Sequence, residues 1–312
     1  MINSIFGFLA IDKPFGLTSH DCINRLRKIY GIKRIGHGGT LDPAVTGVLP
    51  IALGKATRLL PLLPGSKRYE GTIKLGIRTN TNDLEGEILS EEIWPNMNED
   101  CITDCLKDFQ GVIHQYPPAF SSIHIAGERA YKKARRGETF NLPLKRINIY
   151  KLELLRWEKD TGTINLSVFC SSGTYIRALA RDIGEKLGCG AVLAKLCRTE
   201  SSGFSIHQAI SLPSNSQKEI DLKRNLINPI NVLNDFIKIQ LTNKEDSFWR
   251  KGQSIMIPKD RFIFPSTSQS IKNTNSKDFL LVLNDKGSLI GVAKNHPENS
   301  IIHPKIVFNA EG

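Results

Sequence analysis

The sequence predicts an α+β protein: a mixed, mainly antiparallel sheet flanked by helices, followed by a small C-terminal β domain. Three observations carry that prediction. Two segments, SKRYEGTIKLG from Ser66 to Gly76 and the run from Thr163 to Cys170, alternate at the two-residue period of a half-buried strand. Ile176, Leu179, Ala180, Ile183 and Leu187 recur instead at the spacing of one helix face. Beyond about Asn243 the chain changes to short apolar runs between polar loops, as a small β domain would. With 312 residues, one large domain (1–240) and one small one (241–312) can be accommodated.

Taken in order, Phe6 to Ile11 reads as a buried strand and DKPFGLTSHD as the turn into a helix. Thr18 or Ser19 can cap that helix, with Cys22, Ile23, Leu26 and Ile29 on one face. Further on, Leu49, Ile51 and Leu53 can be core while Lys55 and Arg58 stay solvated. In the first alternating strand Tyr69 shares a face with Gly71, Ile73 and Leu75, so the pattern alone makes it a core tyrosine. TNTNDLEGEIL reads as a polar hairpin, and residues 98–109 as a helix. A helix over 128–136 would carry Arg129, Lys132, Lys133, Arg135 and Arg136 on its exposed surface. Ser171-Ser172-Gly173 turns the second alternating strand into the striped helix. IPKDRFIFPSTSQSIKNTNSKD reads as an exposed loop, and FLLVLNDKGSLIGVAK as a hairpin turning at Asp285-Lys286-Gly287. HPKIVFNA closes the chain.

Composition narrows the function classes. Hydrophobic residues at 40% and charged ones at 23% suit a folded soluble protein. No apolar stretch approaches membrane-spanning length, and MINSIFGFLAIDKP has neither a basic leader nor a small-residue cleavage site. A cytoplasmic protein is expected. Its six cysteines, at 22, 101, 105, 170, 189 and 197, show no CxxC pair and no zinc spacing, so reduced thiols are expected. Lys plus Arg total 42 against 31 acids, a net charge of +11 that favours a polyanionic partner. The excess is concentrated. Ile125 to Arg146 holds seven basic residues and two acids.

The densest chemical signal is GHGGTLDPAVTGVL, Gly36 to Leu49. Gly36, Gly38 and Gly39 permit backbone conformations and close approaches that a side chain forbids. Pro43 biases Asp42 away from helix, toward an extended or turn conformation. Asp42 is the only acid between Asp21 and Glu70. On spacing alone it is equally well an Asx-turn residue or helix cap. His37, five residues earlier, has no companion at metal-ligand spacing. Lys13 reads as a solvated turn lysine, a phosphate contact, or a support for the loop that carries Asp42.

GHGGTLDPAVTGVL resembles the catalytic motif of the TruB family, bacterial pseudouridine synthases acting on uridine 55 of tRNA. The resemblance extends over nearly the whole chain. Lys13-Pro14 with Gly16 to Ser19 resembles KPxGxTS; Lys67 to Gly76 the strand K-x-Y-x-G-x-x-x-L-G; CSSGTYIR the motif C-S-x-G-T-Y-I-R. AVLAKLCRTESSGF resembles the family's L-x-x-L-x-R-T-x-x-G-x-F ending, and the last segment a reduced PUA-like barrel. The likeness implies that Asp42 is the catalytic carboxylate, that Arg177 is its partner, and that Tyr69 packs on the target base and helps move its C5 proton. It implies substrate-binding roles for His37, Tyr175, Leu196 and Lys13. It makes the basic segment, about 113–145, an inserted thumb that grips RNA with Arg129 and Arg135. Ser122-Ile123-His124 departs from the family's usual Ala-Leu-Lys or Ala-Val-Lys, removing a fixed positive charge at His124. The implied reaction extrudes the uridine, breaks its glycosidic bond and rejoins the base through C5. It needs no metal, nucleotide or redox cofactor. The T arm of tRNA would be the partner, with no obligatory protein partner and a monomeric enzyme. Two alternatives stand beside this: a non-catalytic tRNA-binding and folding module, and a guide-RNA-dependent pseudouridine synthase.

Overall fold

The computed structural model describes residues 5–213, 222–265, 278–294 and 300–310. The chain forms two compact units. The first comprises Met1–Asp42, Val48–Gly65 and Ser201–Gly312, the second Pro43–Gly47 and Ser66–Glu200.

The first unit begins with β1 (Gly7–Lys13), whose run FLAI is buried on both sides. Leu9 and Ile11 face one apolar cluster, Phe8 and Ala10 another. Helix α1 (Ser19–Tyr30) follows because Thr18 caps it: the Thr18 hydroxyl accepts from the Asp21 amide at 3.0 Å, and Asp21 accepts from the Thr18 amide at 2.9 Å. Gly31, at φ +64°, ends it in a left-handed turn. Cys22, Ile23 and Leu26 are buried, as the stripe predicts, with Ile29 half-buried. Strand β2 (Ile35–His37) pairs antiparallel with β3 (Thr46–Leu53), and a 3-10 run at Gly54–Leu62 follows. Leu49, Ile51 and Leu53 are fully buried, and Lys55 and Arg58 are exposed.

The second unit holds β4 (Lys67–Leu75) and the hairpin of β5 (Ile77–Thr79) with β6 (Ile88–Glu91). Then come α2 (Glu99–Lys107), capped by Asn98, and β7 (Gly111–Gln115). A short hairpin, β8 (His124–Ile125) with β9 (Glu128–Arg129), turns at Ala126 and Gly127, both left-handed. Helix α3 spans only Ala130–Arg135. The sheet is completed by β10 (Lys145–Glu158), β11 (Thr163–Cys170) and, after α4 (Ile176–Lys186), β12 (Ala191–Ser201). Within this unit the strand order is β12-β4-β11-β10-β7, antiparallel from β4 through to β7. The alternation predicted the burial: Tyr69, Ile73 and Leu75 on β4 and Ile164, Leu166 and Val168 on β11 meet Ile176, Leu179 and Ile183 of α4 in one core.

The chain then returns to the first unit. It continues through β13 (Phe204–Ser205), β14 (Ile210–Ser211), α5 (Leu222–Asn225) and α6 (Pro229–Val232). Strand β14 lies parallel to β1. The C-terminal part contains β15 (Ile237–Gln240), α7 (Asn243–Arg250), β16 (Ile255–Met256), β17 (Phe262–Ile263), β18 (Phe279–Leu283), β19 (Leu289–Lys294) and β20 (Ile301–Val307). Its six strands run in the order β16-β20-β19-β18-β15-β17, the small β domain expected. Leu281, Val292, Ile306 and Phe308 share a core with Phe8, Ala10 and Val48 of the N-terminal sheet. The hairpin at Asp285-Lys286-Gly287 forms as predicted, with Gly287 at φ +74° and the Asn284 side chain accepting from the Lys286 and Ser288 amides. Most of the predicted Ser/Thr/Asn-rich loop, residues 266–277, lies outside the described residues.

Candidate active site

In the first unit the catalytic-motif loop is fixed from the KPFGLTS segment. Lys13 is fully buried, and its ammonium donates to the Pro14 and Leu17 carbonyls at 2.8 and 2.7 Å. A buried ammonium needs such partners, and here they close the turn that starts α1. The solvated-lysine reading is therefore corrected: the ammonium is enclosed and holds the KPFGLTS turn. Ser19, at the start of α1, is also buried. Its hydroxyl accepts from the Leu41 amide at 2.8 Å and donates to the Leu41 carbonyl at 3.3 Å. Leu41 is thus clamped on both backbone polar groups, and Asp42 is presented exposed directly after it. On the other side of the loop the Gly38 amide donates to the Pro50 carbonyl at 2.8 Å. A side chain at Gly38 would crowd Pro50 and Leu63, at 3.2 and 3.3 Å. His37 ends β2 half-buried, its Nδ1 accepting from the Gly39 amide at 3.3 Å. Replacing Ser19 by Ala orphans the Leu41 amide, for an expected loss of about 1–3 kcal/mol. Denaturant unfolding should report that loss, and turnover should fall with tRNA affinity kept.

In the second unit the structure brings together Tyr69, Leu196 and Arg198. Tyr69 is buried on β4, and a Cβ on Gly71, its neighbour on the same face, would lie 3.0 Å from Leu196 Cδ1. Arg198, two residues beyond Leu196 on β12, has no exposed surface; burial holds its guanidinium below the ordinary pKa, and the nearby Tyr69 works against that shift. Lys67, at the start of β4, is pulled down to about 8 by burial and by the Arg198 charge.

A second constellation surrounds the start of α4. Tyr175 is its N-cap residue, gripped by the buried Gln115 side chain, which donates to the Tyr175 carbonyl at 3.1 Å and accepts from its amide at 2.9 Å. The Lys145 ammonium lies 5.4 Å from the Tyr175 ring centre, within cation–π range. Arg177 turns its guanidinium to the β5–β6 hairpin, donating to the Thr81 carbonyl at 3.2 Å and to Asp83 at 3.3 Å, and also to the Phe120 carbonyl at 2.9 Å. Asp83 is itself fixed by the Thr81 hydroxyl and the Glu85 amide. The unfavourable position of a cation at a helix start is thereby offset by a carboxylate and two carbonyls.

The basic segment is more structured than its charge pattern predicts. The expected helix over 128–136 starts only at Ala130, because residues 128–129 pair as a strand with 124–125. Lys133 is half-buried and pairs with Glu138, while Arg136 pairs with both Glu128 and Glu138. Arg129 and Arg135 remain exposed, the first donating to the Ser122 carbonyl, the second over the Tyr131 ring.

Three residues escaped the sequence reading. Ser19 was seen only as a possible cap. Asp83 was one acid among several in a polar hairpin, with nothing to mark it. Arg198 had a usable signal: strand alternation puts it on the face of Leu196.

Known proteins share this arrangement of elements. The model of the TruB family pseudouridylate synthase (N terminal domain) matches residues 27–176. The tRNA pseudouridine synthase B of one Prochlorococcus marinus strain is 59% identical, with all of both chains covered. That of Parasynechococcus marenigrum (strain WH8102) is 46% identical, covering 98% of this chain and 99% of its own. Among solved structures, an H/ACA RNP bound to a substrate RNA containing 2'-deoxyuridine has a chain 25% identical, with a TM-score of 0.70, covering 97% of this chain and 85% of that one. The fold is that of a pseudouridine synthase. More narrowly, the chain belongs to the TruB family. Among the described residues no helix is long and apolar enough to cross a membrane, and no cluster of His, Cys, Asp or Glu has metal-site geometry.

Proposed function

We propose that the protein isomerises uridine to pseudouridine at position 55, in the T arm of tRNA, acting alone as a cytoplasmic monomer. One observation carries this reading: end-to-end identity of 59% with a tRNA pseudouridine synthase B. The guide-dependent alternative is disfavoured, since the RNP chain is only 25% identical. Residues 1–240 would be the catalytic part, about 113–145 the RNA-gripping thumb, and 241–312 a PUA-like domain.

The chemistry assigns roles. A uridine in a folded T arm must be extruded, at a cost of roughly a few kcal/mol, and aromatic stacking returns about 1–3 kcal/mol per base. His37, Tyr69 and Tyr175 are the stacking candidates, with Leu196 closing the base pocket. Asp42 is the catalytic carboxylate, next to a Leu41 that Ser19 holds by both backbone polar groups. Arg177 and Tyr69 act with it, and the cleavage resembles retaining glycoside chemistry, where a carboxylate attacks or stabilises the sugar cation. Incubation with unmodified tRNA transcript, followed by carbodiimide and primer extension, tests the reading. A stop at the T-arm uridine is expected; binding without modification would leave only a folding module.

Arg129 and Arg135 would grip phosphates. Affinity for tRNA should fall steeply between low and high salt, and replacing either arginine by Ala should reduce the logarithmic salt slope by about 1. Filter binding across a salt series measures both; a flat series would remove the phosphate-gripping role.

A further inference from the structure

We propose that Gln115 and Lys145 form a positioning pair that fixes Tyr175, Gln115 holding its backbone and Lys145 its ring. The inference rests on the reading of Tyr175 as a residue on which the extruded base stacks.

The pair is built by the sheet. Gln115 ends β7 and stands directly opposite Lys145, the first residue of β10, in the antiparallel register. Side chains opposed in this way leave on the same face of the sheet, and both of these reach Tyr175. Gln115 is enclosed, with 1% exposure, while Lys145 is half-buried. The chain that leaves Gln115 is tied to α4 twice more. Arg181 donates to the Tyr116 carbonyl at 3.0 Å, and Arg177 to the Phe120 carbonyl at 2.9 Å. Gln115 is thereby kept beside the start of α4.

Each half of the clamp answers a specific need. Tyr175 caps α4 without a side-chain hydrogen bond of its own, so the anchor comes from elsewhere in the chain. Its carbonyl already accepts from the Leu179 amide at 3.0 Å and takes the Gln115 amide on its second lone pair at 3.1 Å. Its own amide donates to Gln115 Oε1 at 2.9 Å. A carboxamide offers a donor and an acceptor side by side, which neither a carboxylate nor an apolar side chain can match. With both backbone groups held, the ring keeps only its side-chain torsions. The Lys145 ammonium, 5.4 Å from the ring centre, restrains those. A ring set in advance loses less freedom when a base stacks on it.

Gln115→Met keeps the length and removes both hydrogen bonds. It should lower the single-turnover rate of pseudouridine formation about tenfold, with tRNA affinity unchanged. Lys145→Met should lower it about two- to fivefold, and Lys145→Arg, which keeps a cation at the ring, should restore most of that loss. Two readouts separate positioning from a structural role. In a Tyr175→Leu background, which has no ring to place, either substitution should lower the rate little further, although Gln115→Met should still lower the unfolding temperature. On protein labelled in its tyrosine rings, the NMR resonance missing in Tyr175→Leu should move in Gln115→Met and in Lys145→Met. It should return toward its original position in Lys145→Arg. Equal rate losses in both backgrounds, an unmoved resonance, or a loss confined to tRNA affinity would overturn the positioning role. If Gln115→Met does not fold, Gln115→Glu, which as a carboxylate keeps the acceptor and loses the donor, is read by the same criteria. Full activity of Tyr175→Leu would instead refute the stacking role of Tyr175, which is a separate failure.

Discussion

Asp42→Asn should reduce pseudouridine formation by about a thousandfold or more, as removal of a reacting carboxylate does in other enzymes, while leaving tRNA binding and stability nearly intact. The stability half of that expectation comes from the structure. Asp42 is exposed, and its loop is held by neighbours: Leu41 through Ser19, Gly38 through Pro50. Asn keeps the size of Asp and one acceptor oxygen, so the change at this exposed side chain should stay within about 0.5 kcal/mol. Single-turnover modification, filter binding and thermal unfolding on the same preparation separate the three quantities. Residual activity within tenfold of the parent would remove Asp42 from the chemistry. An equal loss of binding and rate would make it a recognition residue.

The same loop marks the limit of what could be read in advance. The elements were legible where one periodicity ran unbroken: β4, β11 and α4 bury the residues their spacing assigns. Where charge was the only guide, the reading erred. The run from Glu128 to Arg136 looked helical because lysines and arginines dominate it, yet Gly127 and Ala126 take left-handed turns and open a hairpin first. Partnerships across sequence distance were invisible for a different reason. Nothing local ties Ser19 to Leu41, Gln115 to Tyr175 or Arg177 to Asp83; each is a buried polar group finding its partner only once the sheet has formed. Lys13 was misjudged on the same ground, since a turn lysine is normally solvated and this one is enclosed. The residues named from resemblance, by contrast, came with roles but without the contacts that hold them.

Those contacts make the second large effect predictable. Arg177→Ala should cost about 2–4 kcal/mol of stability and at least about a hundredfold in rate. Its guanidinium and the Asp83 carboxylate are both largely enclosed, at 11% and 18% side-chain exposure. Truncation leaves the Thr81 and Phe120 carbonyls without their donor and Asp83 without its cation. Lysine should not restore the site, because one ammonium cannot serve three acceptors spread over the planar fork of a guanidinium. Asp83→Asn separates the two losses. It keeps an acceptor for Arg177 and the link to Thr81, so stability should fall by less than in Arg177→Ala, while a guanidinium relieved of its carboxylate can shift and misplace what it orients. Unfolding midpoints that are equal for the two variants would mean that the ion pair, and not the carbonyl contacts, carries the stability. A wild-type rate in Asp83→Asn would confine Arg177 to a structural role in the β5–β6 hairpin.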